Sequence, residues 1–477
     1  MDVHVTLAGR GDLSSRIYRQ LLDAVVEGRL RSGERLPSTR EMAARLEVSR
    51  NTVAWAYERL IAEGVLTGRV GAGTFVSAEA IRSVRARHAP AGAGLLPRPI
   101  WKSLASPVLG SRPGAPVYDF SAGSPDARLF PFTTWRRLVA RELRPGRLDW
   151  TTYGDPAGHA GLRDAIARHI GVSRSVQAHA DDVIVTQGAQ QAFDLIGRVL
   201  IEPGTCVAVE DPGYPPVRRL FRSLGARVVG VPVDGDGLIV AAIPPAARLI
   251  YVTPSHQFPL GTPMSLARRA ALLEWAERRQ AVVLEDDYDS EFRFEGRPLD
   301  PLQRLDRGGR VVYVGSFSKV MLPALRLGFL IAPVSLQPAL RAAKQLCDWH
   351  GELPTQAALA RFIDEGLLAR HIRKASREYA TRHATIVAAI ASGFGGRFRA
   401  VPSAAGLHVA AEVAPGVSVD MAHVVRRAKA SGILVHALAD FSTAAVPRQG
   451  LVLGYGAIPS GKVEEGLRRL AACVRAR

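Results

Sequence analysis

The chain has 477 residues, 47% of them hydrophobic and 22% charged, which is the composition of a globular protein long enough for more than one domain. No run of about 18 apolar residues and no basic segment leading into an apolar one is present, so we expect neither a membrane span nor a signal peptide. Cys206, Cys347 and Cys473 form no metal-binding pattern, which predicts no metal site and a reducing, cytoplasmic location. The net charge of +18 is too dispersed to identify a partner, because residues 1–76 carry 11 arginines against 9 acidic residues.

Residues 1–76 show the pattern of a small helical domain. Apolar residues at helical spacing predict a first amphipathic helix, and they are Ile17, Leu21, Leu22, Val25 and Val26. Ser38 followed by Glu41 is the pattern of a capping box, which predicts a short helix over residues 39–46.

A third helix and a glycine-rich hairpin follow. Ser49 is placed to cap a helix that runs to about Ala62, and residues 65–76 predict two short strands around a glycine turn. A generic three-helix bundle is the alternative, since capped helices are common. Two short capped helices around a three-residue turn, with a hairpin behind them, favour a winged helix-turn-helix that binds DNA.

This stretch closely resembles the winged helix of the GntR family. The shared motifs are Leu-Pro-Ser-x-Arg at 36–40, Val-Ser-Arg-x-Thr-Val at 48–53 and Gly-x-Gly-Thr-Phe-Val at 71–76. The resemblance implies a partner of double-stranded DNA, with Arg50 able to reach a guanine and the helix N-termini holding phosphates. The residues expected at DNA are Ser38, Thr39, Arg40, Ser49, Arg50, Asn51, Thr52, Arg69 and Gly71.

Residues 77–116 have little periodicity, several prolines and glycines, and six basic residues against one acidic residue. This composition predicts a flexible basic linker. Arg82, Arg85 and Arg87 either belong to a solvated tether or extend the contact with DNA.

Residues 117–477 alternate short Val/Ile-rich runs with amphipathic segments. The alternation predicts an α/β body with a largely parallel sheet covered by helices on both faces. In such sheets ligands bind at the carboxyl ends of the strands. The predicted strands are 182–186, 206–209, 227–231, 248–252, 281–284 and 311–315.

Distinctive residues stand at several of these strand ends. Thr186–Gln191 leaves a strand and opens a helix, where small residues and a helix N-terminus suit an anion, although many strand–helix turns look alike. Tyr214 follows another strand and is either a ligand contact or a packing residue. Glu285–Asp289 holds four acidic residues, which fit a protonated pyridine nitrogen, a solvated acidic loop or a metal site.

The last predicted strand ends in Ser316-Phe-Ser-Lys319, with Arg326 beyond it. The chain has six lysines against 56 arginines, so a lysine at this point is unlike ordinary surface charge. Hydroxyls and an arginine around a lysine suit a phosphate beside an amine that reacts with an aldehyde.

Together these features resemble fold-type I, class I aminotransferases, which use pyridoxal 5′-phosphate (PLP). The resemblance covers residues 117–477, with a small C-terminal α+β subdomain from about 335. It implies that Lys319 forms a Schiff base with PLP, that Asp286 pairs with the pyridine nitrogen, and that Tyr288 bonds the ring hydroxyl. The other residues implied at the cofactor are Gly188, Ala189, Gln190, Tyr214, Ser316, Ser318 and Arg326.

Two departures from the aminotransferase pattern favour sensing over turnover. Phe258-Pro-Leu-Gly261 stands where these enzymes have Asn-Pro-x-Gly, so His256 or Gln257 would have to replace the asparagine beside the ring hydroxyl. The C-terminal strand 451–456 lacks the usual arginine for a substrate carboxylate, and Arg448 lies just outside it.

A GntR-like head joined by a basic linker to such a body resembles the architecture of the MocR (GabR-like) subfamily of transcription regulators. The motifs at 253–259 and 285–293 are also similar to the sequences usual at these positions in that subfamily. The resemblance implies a head-to-tail homodimer on a promoter with two half-sites, responding to PLP or to an amine or amino acid effector. The alternative is an active aminotransferase with an autoregulatory DNA-binding head.

Overall fold

The computed structural model describes residues 5–7, 12–77, 96–104, 116–149, 151–294, 300–403 and 405–475. Contacts between Cα atoms divide the chain into two compact units, residues 1–97 and 98–477. Within the described ranges, no helix is both long enough and apolar enough to cross a membrane.

The N-terminal unit is a winged helix-turn-helix, as the sequence predicts. Its helices are α1 (Leu13–Val26), α2 (Thr39–Leu46) and α3 (Arg50–Ala62), and its strands are β1 (Leu66–Arg69) and β2 (Gly73–Val76). The two strands pair antiparallel from Leu66 opposite Val76 to Arg69 opposite Gly73. A single apolar cluster that includes Ile17, Leu21, Val53 and Leu60 holds the three helices together.

Each helix of this unit starts at a side chain that accepts backbone N–H groups. Asp12, Ser38 and Ser49 cap α1, α2 and α3 in turn. The expected capping box at Ser38 is only half formed, because the Glu41 carboxylate pairs with Arg45 at 3.0 Å instead of reaching back. The charge pair one turn along the helix therefore replaces the second capping bond.

A short helix, α4 (Pro99–Leu104), lies within the segment predicted to be a linker. It belongs to the C-terminal unit, where it packs against helix α8 (Pro215–Ser223). Arg82, Arg85 and Arg87 lie outside the described residues.

An eight-stranded sheet forms the centre of the C-terminal unit. Its strands, in spatial order, are β4 (Val183–Thr186), β11 (Gly328–Ile331), β10 (Val311–Ser316), β9 (Val282–Asp287), β8 (Ala247–Val252), β5 (Cys206–Asp211), β6 (Arg227–Asp234) and β7 (Gly237–Leu238). The run from β10 to β6 is parallel, which confirms the predicted sheet, and β11 pairs antiparallel with both of its neighbours.

Both faces of this sheet are buried because apolar residues occupy both sides of each strand. Along β8, Leu249 and Tyr251 join one apolar cluster, whereas Ile250 and Val252 join another. Helices cover the two faces. The helices of the unit between α4 and the second sheet are α5 (Phe132–Glu142), α6 (Ala160–Arg174), α7 (Ala189–Leu200), α8, α9 (Leu266–Arg279), α10 (Leu302–Leu305), α11 (Gln337–Asp348), α12 (Leu353–Asp364) and α13 (Leu367–Gly393).

A second, antiparallel sheet follows in the order β12 (Phe398–Ala400), β13 (His408–Val413), β16 (Gly450–Gly454) and β15 (His436–Ala437). Helices α14 (Met421–Ala430) and α15 (Ser460–Arg475) accompany it. A separate parallel pair joins β14 (Ile433–Leu434) to β3 (Tyr118–Asp119). The C-terminal subdomain, predicted to start at about residue 335, therefore also includes strand β3 from the beginning of the unit.

Candidate functional site

The residues expected at DNA lie on the surface of the N-terminal unit. Seven of these nine residues are exposed, and Thr39 and Thr52 are partly buried. The N-termini of α2 and α3 lie side by side, because Arg50 Nε donates to Thr39 Oγ1 at 3.4 Å. Adjacent helix N-termini present unpaired N–H groups and partial positive charge, which suits phosphate oxygens.

The hairpin places its two expected residues at its turn. Gly71 has φ +74°, a left-handed conformation that favours glycine. Arg69 stands over the ring of Phe75 with 5.0 Å from its guanidinium carbon to the ring centroid. Both residues are exposed, so the tip of the wing is available to a nucleic acid.

In the C-terminal unit, a cavity of about 260 Å³ opens beside the carboxyl ends of β9 and β10. Nine of the eleven residues expected at the cofactor line it together. They are Ala189, Gln190, Tyr214, Asp286, Tyr288, Ser316, Ser318, Lys319 and Arg326. The sheet topology brings these distant segments to one place, as the strand-end rule predicts.

Asp286 lies one residue before the end of strand β9, with one carboxylate oxygen hydrogen-bonded and one free. Its Oδ2 accepts a hydrogen bond from the Tyr251 hydroxyl at 2.6 Å, and its buried Oδ1 has no partner among the residues that the structure describes. Burial raises the pKa of Asp286 to about 7. An unpaired buried acceptor of this kind fits a protonated ring nitrogen, so the residues present suit PLP.

Lys319 is half-buried in the cavity wall. Its Nζ donates to the Gly123 carbonyl at 2.6 Å. Burial lowers the pKa of Lys319, Arg326 lowers it further, and the carboxylates of Asp289 and Asp286 oppose the shift. A lowered pKa favours the neutral amine, which is the form that attacks an aldehyde.

The segment at the start of α7 is shaped for close backbone approach. Gly188 has φ +75°, and a Cβ there would stand 3.0 Å from Arg326 Nη2. Arg326 donates to the Gln187 carbonyl, and the Ser316 hydroxyl accepts from the Ser318 N–H at 3.1 Å. Hydroxyls, a guanidinium and a helix N-terminus together suit a phosphate group.

Gly188 and His256, both expected at the cofactor, do not line the cavity. His256 is turned towards other partners, since its Nδ1 lies 3.0 Å from both Asp289 Oδ1 and the Tyr288 hydroxyl, and its Nε2 lies 3.1 Å from Ser403 Oγ. It therefore borders the cavity indirectly, through lining residues that include Tyr288, Asp289 and His408.

Gln257 does not line the cavity either. Its amide donates to the carbonyls of Pro212 and Phe258 at 2.9 and 2.7 Å. Neither candidate replacement for the missing asparagine therefore lies at the cavity wall.

His256, Asp289 and His408 place one possible metal ligand atom each within 4.8 Å of one another. His256 is already hydrogen-bonded through both ring nitrogens. A hydrogen bond within the protein thus already joins two of the three residues, His256 and Asp289.

The cavity is also lined by residues that the sequence analysis did not assign to the site, namely Tyr251, Phe258, His408, His436 and Phe441. Tyr251 stands near the carboxyl end of β8, so the strand-end rule could have found it. The two histidines come from strands β13 and β15, far along the chain, and no local motif marks them. Arg448 pairs with Glu412 at 2.9 Å and does not line the cavity.

Comparisons with known families agree with this architecture. Residues 13–76 match the family of bacterial regulatory proteins named gntR, and residues 116–449 match the family "Aminotransferase class I and II". Among solved structures, an archaeal alanine:glyoxylate aminotransferase superposes with a TM-score of 0.71 at 26% identity, covering 76% of this chain and 91% of that one. Another is LysN, an α-aminoadipate aminotransferase of Thermus thermophilus complexed with N-(5′-phosphopyridoxyl)-L-leucine. It superposes with a TM-score of 0.68 at 29% identity, covering 74% of this chain and 91% of LysN.

Full-length relatives combine the same two parts. The chain is 37% identical to the "Probable rhizopine catabolism regulatory protein MocR" of Rhizobium meliloti, over 95% of this chain and 92% of the relative. It is 35% identical to the HTH-type transcriptional regulator TauR of Rhodobacter capsulatus, over 98% of this chain and 97% of TauR. With a GntR head, an aminotransferase-like body and this likeness along its length, the chain belongs to the MocR subfamily of GntR-family transcriptional regulators.

Proposed function

We propose that this chain is a PLP-dependent transcription regulator whose body senses PLP or an amine and controls how the head binds a promoter. The observation that carries the proposal is that a free buried acceptor on Asp286 and the amine of the half-buried Lys319 line one cavity. When bound, PLP supplies an aldehyde that condenses reversibly with primary amines. The cavity residues then hold and orient the cofactor.

Each residue has a separate task in this proposal. Lys319 anchors the cofactor through its amine, and Asp286 holds the proton of the ring nitrogen. Tyr288 faces the ring hydroxyl, and its own hydroxyl is fixed by the His256 carbonyl at 2.9 Å. Arg326 and the two serines bind the phosphate, and Tyr214 borders the ring.

The head binds double-stranded DNA through the N-termini of α2 and α3 and through the wing. A homodimer, arranged head to tail, would present two heads to two half-sites in the promoter. An exposed aromatic pair supports an interface with a second copy, since the rings of Tyr153 and Trp349 lie 4.5 Å apart and are 73% and 50% exposed. The three free cysteines are consistent with a cytoplasmic setting.

Effector control requires that the effector bind two arrangements of the body with different affinities. Coupling of about 1–3 kcal/mol, typical of allosteric proteins, corresponds to a change of about 5- to 150-fold in promoter affinity. Footprinting of the chain's own upstream region, with and without PLP and candidate amines, measures this change directly.

Lys319→Ala is the central test. The wild-type protein incubated with PLP should acquire the visible absorption band of a lysine–PLP imine, and the variant should lack it. In the variant, PLP and amines should no longer alter the footprint, whereas basal DNA binding by the head should persist. A footprint that responds equally in both proteins would contradict the proposal.

An active aminotransferase is the second candidate, because Lys319 and Asp286 occupy the cavity as an enzyme would need them. The chain is also 27% identical, over 75% of its length, to an aromatic-amino-acid aminotransferase of Thermococcus litoralis. Steady-state assays with a panel of amino acids and 2-oxo acids separate the two. Turnover of about 1 s⁻¹ or faster lies in the ordinary enzyme range and would favour the enzyme.

A further inference from the structure

Four rings form one continuous wall of the cavity, which we call the ring wall: Phe258, His408, His436 and Phe441. Phe258 lies 5.4 Å from His408 and 5.2 Å from Phe441, and Phe441 lies 6.0 Å from His436, measured between ring centroids. Three of these residues belong to the second sheet or the turn beside it. The proposed cofactor anchors, in contrast, come from the eight-stranded sheet.

The ring wall offers no fixed positive charge. Among the described residues that line the cavity, the lysines and arginines are Lys319 and Arg326. Arg326 is held beside Gly188 and Gln187, where a phosphate would sit. Arg448 donates to the Val233 carbonyl and pairs with Glu412, so it is already engaged elsewhere.

Both histidines of the ring wall favour the uncharged form. Burial, with the neighbouring His256 and Lys319, lowers the pKa of His408 well below its usual value. Burial also lowers the pKa of His436. The carboxylate of Asp289 lines the same cavity, and it disfavours an anionic group further.

His408 has one hydrogen-bonding position left. Its Nε2 lies 3.0 Å from the Pro259 carbonyl, which can only accept, so Nε2 carries the proton. In a neutral imidazole the other nitrogen, Nδ1, then holds a lone pair, and no described residue hydrogen-bonds to it. A lone pair accepts a bond from a hydroxyl and repels a carboxylate.

We propose that the effector is a primary amine that carries a hydroxyl group and no carboxylate, with His408 Nδ1 accepting the hydrogen bond of that hydroxyl. The proposal rests on the proposed function, because the amine depends on bound PLP. It makes an amino alcohol, rather than an amino acid, the class of ligand that fits this cavity. Burying an unpaired carboxylate against the ring wall would cost far more than a neutral group.

Three ligands with the same three-carbon skeleton test the proposal: 2-aminopropan-1-ol, isopropylamine and alanine. Each is titrated into the full-length, PLP-loaded protein, and the dissociation constant is read from the change in the visible cofactor band. The hydroxyl should tighten binding by about three- to tenfold over isopropylamine, the range of one net hydrogen bond. Alanine should bind at least about tenfold more weakly than the amino alcohol.

His408→Phe removes the acceptor and keeps a ring of similar size. In this variant 2-aminopropan-1-ol and isopropylamine should bind equally, while the exposed control His179→Phe should keep the wild-type preference. Equal binding of the two amines to the wild-type protein would overturn the role of His408, and tighter binding of alanine would overturn the ligand class. The wild-type comparison holds even if the variant fails to fold.

The cofactor band separates this proposal from the proposed function. A wild-type protein that never acquires the band refutes PLP binding itself. A protein that acquires the band but prefers alanine refutes only the ligand class.

Discussion

Asp286→Asn should stabilise the cofactor-free protein and weaken PLP binding at the same time. In the cofactor-free body, Asp286 Oδ1 is a buried acceptor without a partner, and burial raises the pKa of this carboxyl to about 7. Asparagine is neutral at every pH, has the same shape, and keeps an oxygen for the Tyr251 hydroxyl. It therefore removes the buried charge and retains the 2.6 Å hydrogen bond.

The size of the effect follows from the pKa. A pKa moved from 3.8 to about 7 corresponds to about 4 kcal/mol, at about 1.4 kcal/mol per pKa unit. Between these two values the folded state holds a proton that the unfolded state has lost, so the stability contribution falls as the pH rises through this range. The variant should exceed the wild type by less than about 1 kcal/mol near pH 4 and by about 4 kcal/mol above pH 8.

Denaturant unfolding of the two cofactor-free proteins, from pH 4 to about pH 8.5, measures this difference. Asp287→Asn is the matched control on the same strand. Burial would raise the pKa of Asp287, but its ion pair with Arg174 at 2.8 Å lowers the pKa overall. Loss of that partner should destabilise the protein by about 3–5 kcal/mol. A stability gain for Asp286→Asn that is absent, or independent of pH, would refute the reasoning.

Three further predictions concern the head and the phosphate end of the cavity. Arg50→Ala should weaken operator binding by about 1–3 kcal/mol if the guanidinium contacts a base, whereas the exposed control Arg29→Ala should have no effect in the same gel-shift titration. Ser49→Ala should lower the unfolding free energy of the head by about 1 kcal/mol in thermal unfolding, because the Thr52 N–H loses its cap. Gly188→Ala should weaken PLP binding by more than about tenfold in a spectroscopic titration, since alanine is strained at φ +75° and its Cβ would press on Arg326. Gly461→Ala, which has open space around it, is the control.

Much of the fold was predictable because local patterns and tertiary packing agree. The runs that predicted strands β4, β5, β6, β8, β9 and β10 are all found in the sheet, and the capped helices of the head lie within a residue or two of their expected bounds. Strand β11 was missed, although Gly328–Ile331 follows soon after Arg326. Its antiparallel place in the sheet depends on contacts with β4 and β10, which no local pattern indicates.

The residues of the candidate site likewise fall into two groups, those that local sequence motifs identify and those that only tertiary packing brings to the cavity. Asp286 and Lys319 could be identified from the sequence because they lie in motifs at or just after the ends of predicted strands. The chemistry of the cofactor also restricts the residue types that can occupy these positions. His408 and His436 could not, because they reach the cavity only through the packing of a second sheet whose place is set by distant contacts. His256 belongs to a conspicuous motif, yet its hydrogen bonds to Asp289 and Ser403 turn it away from the cavity.

The division of the cavity between two sheets has a consequence for how such a protein can change. The anchors of the cofactor lie on the eight-stranded sheet, where Gly328 and Gly188 approach so closely that a Cβ on Gly328 would stand 2.8 Å from the Gly188 Cα. Substitution there is sterically restricted. Three of the four ring-wall residues lie on the second sheet or beside it, so under the proposal above an exchange at His408 or His436 should alter which amine binds while the anchors stay in place. New effectors can therefore evolve on one sheet while the other preserves the cofactor.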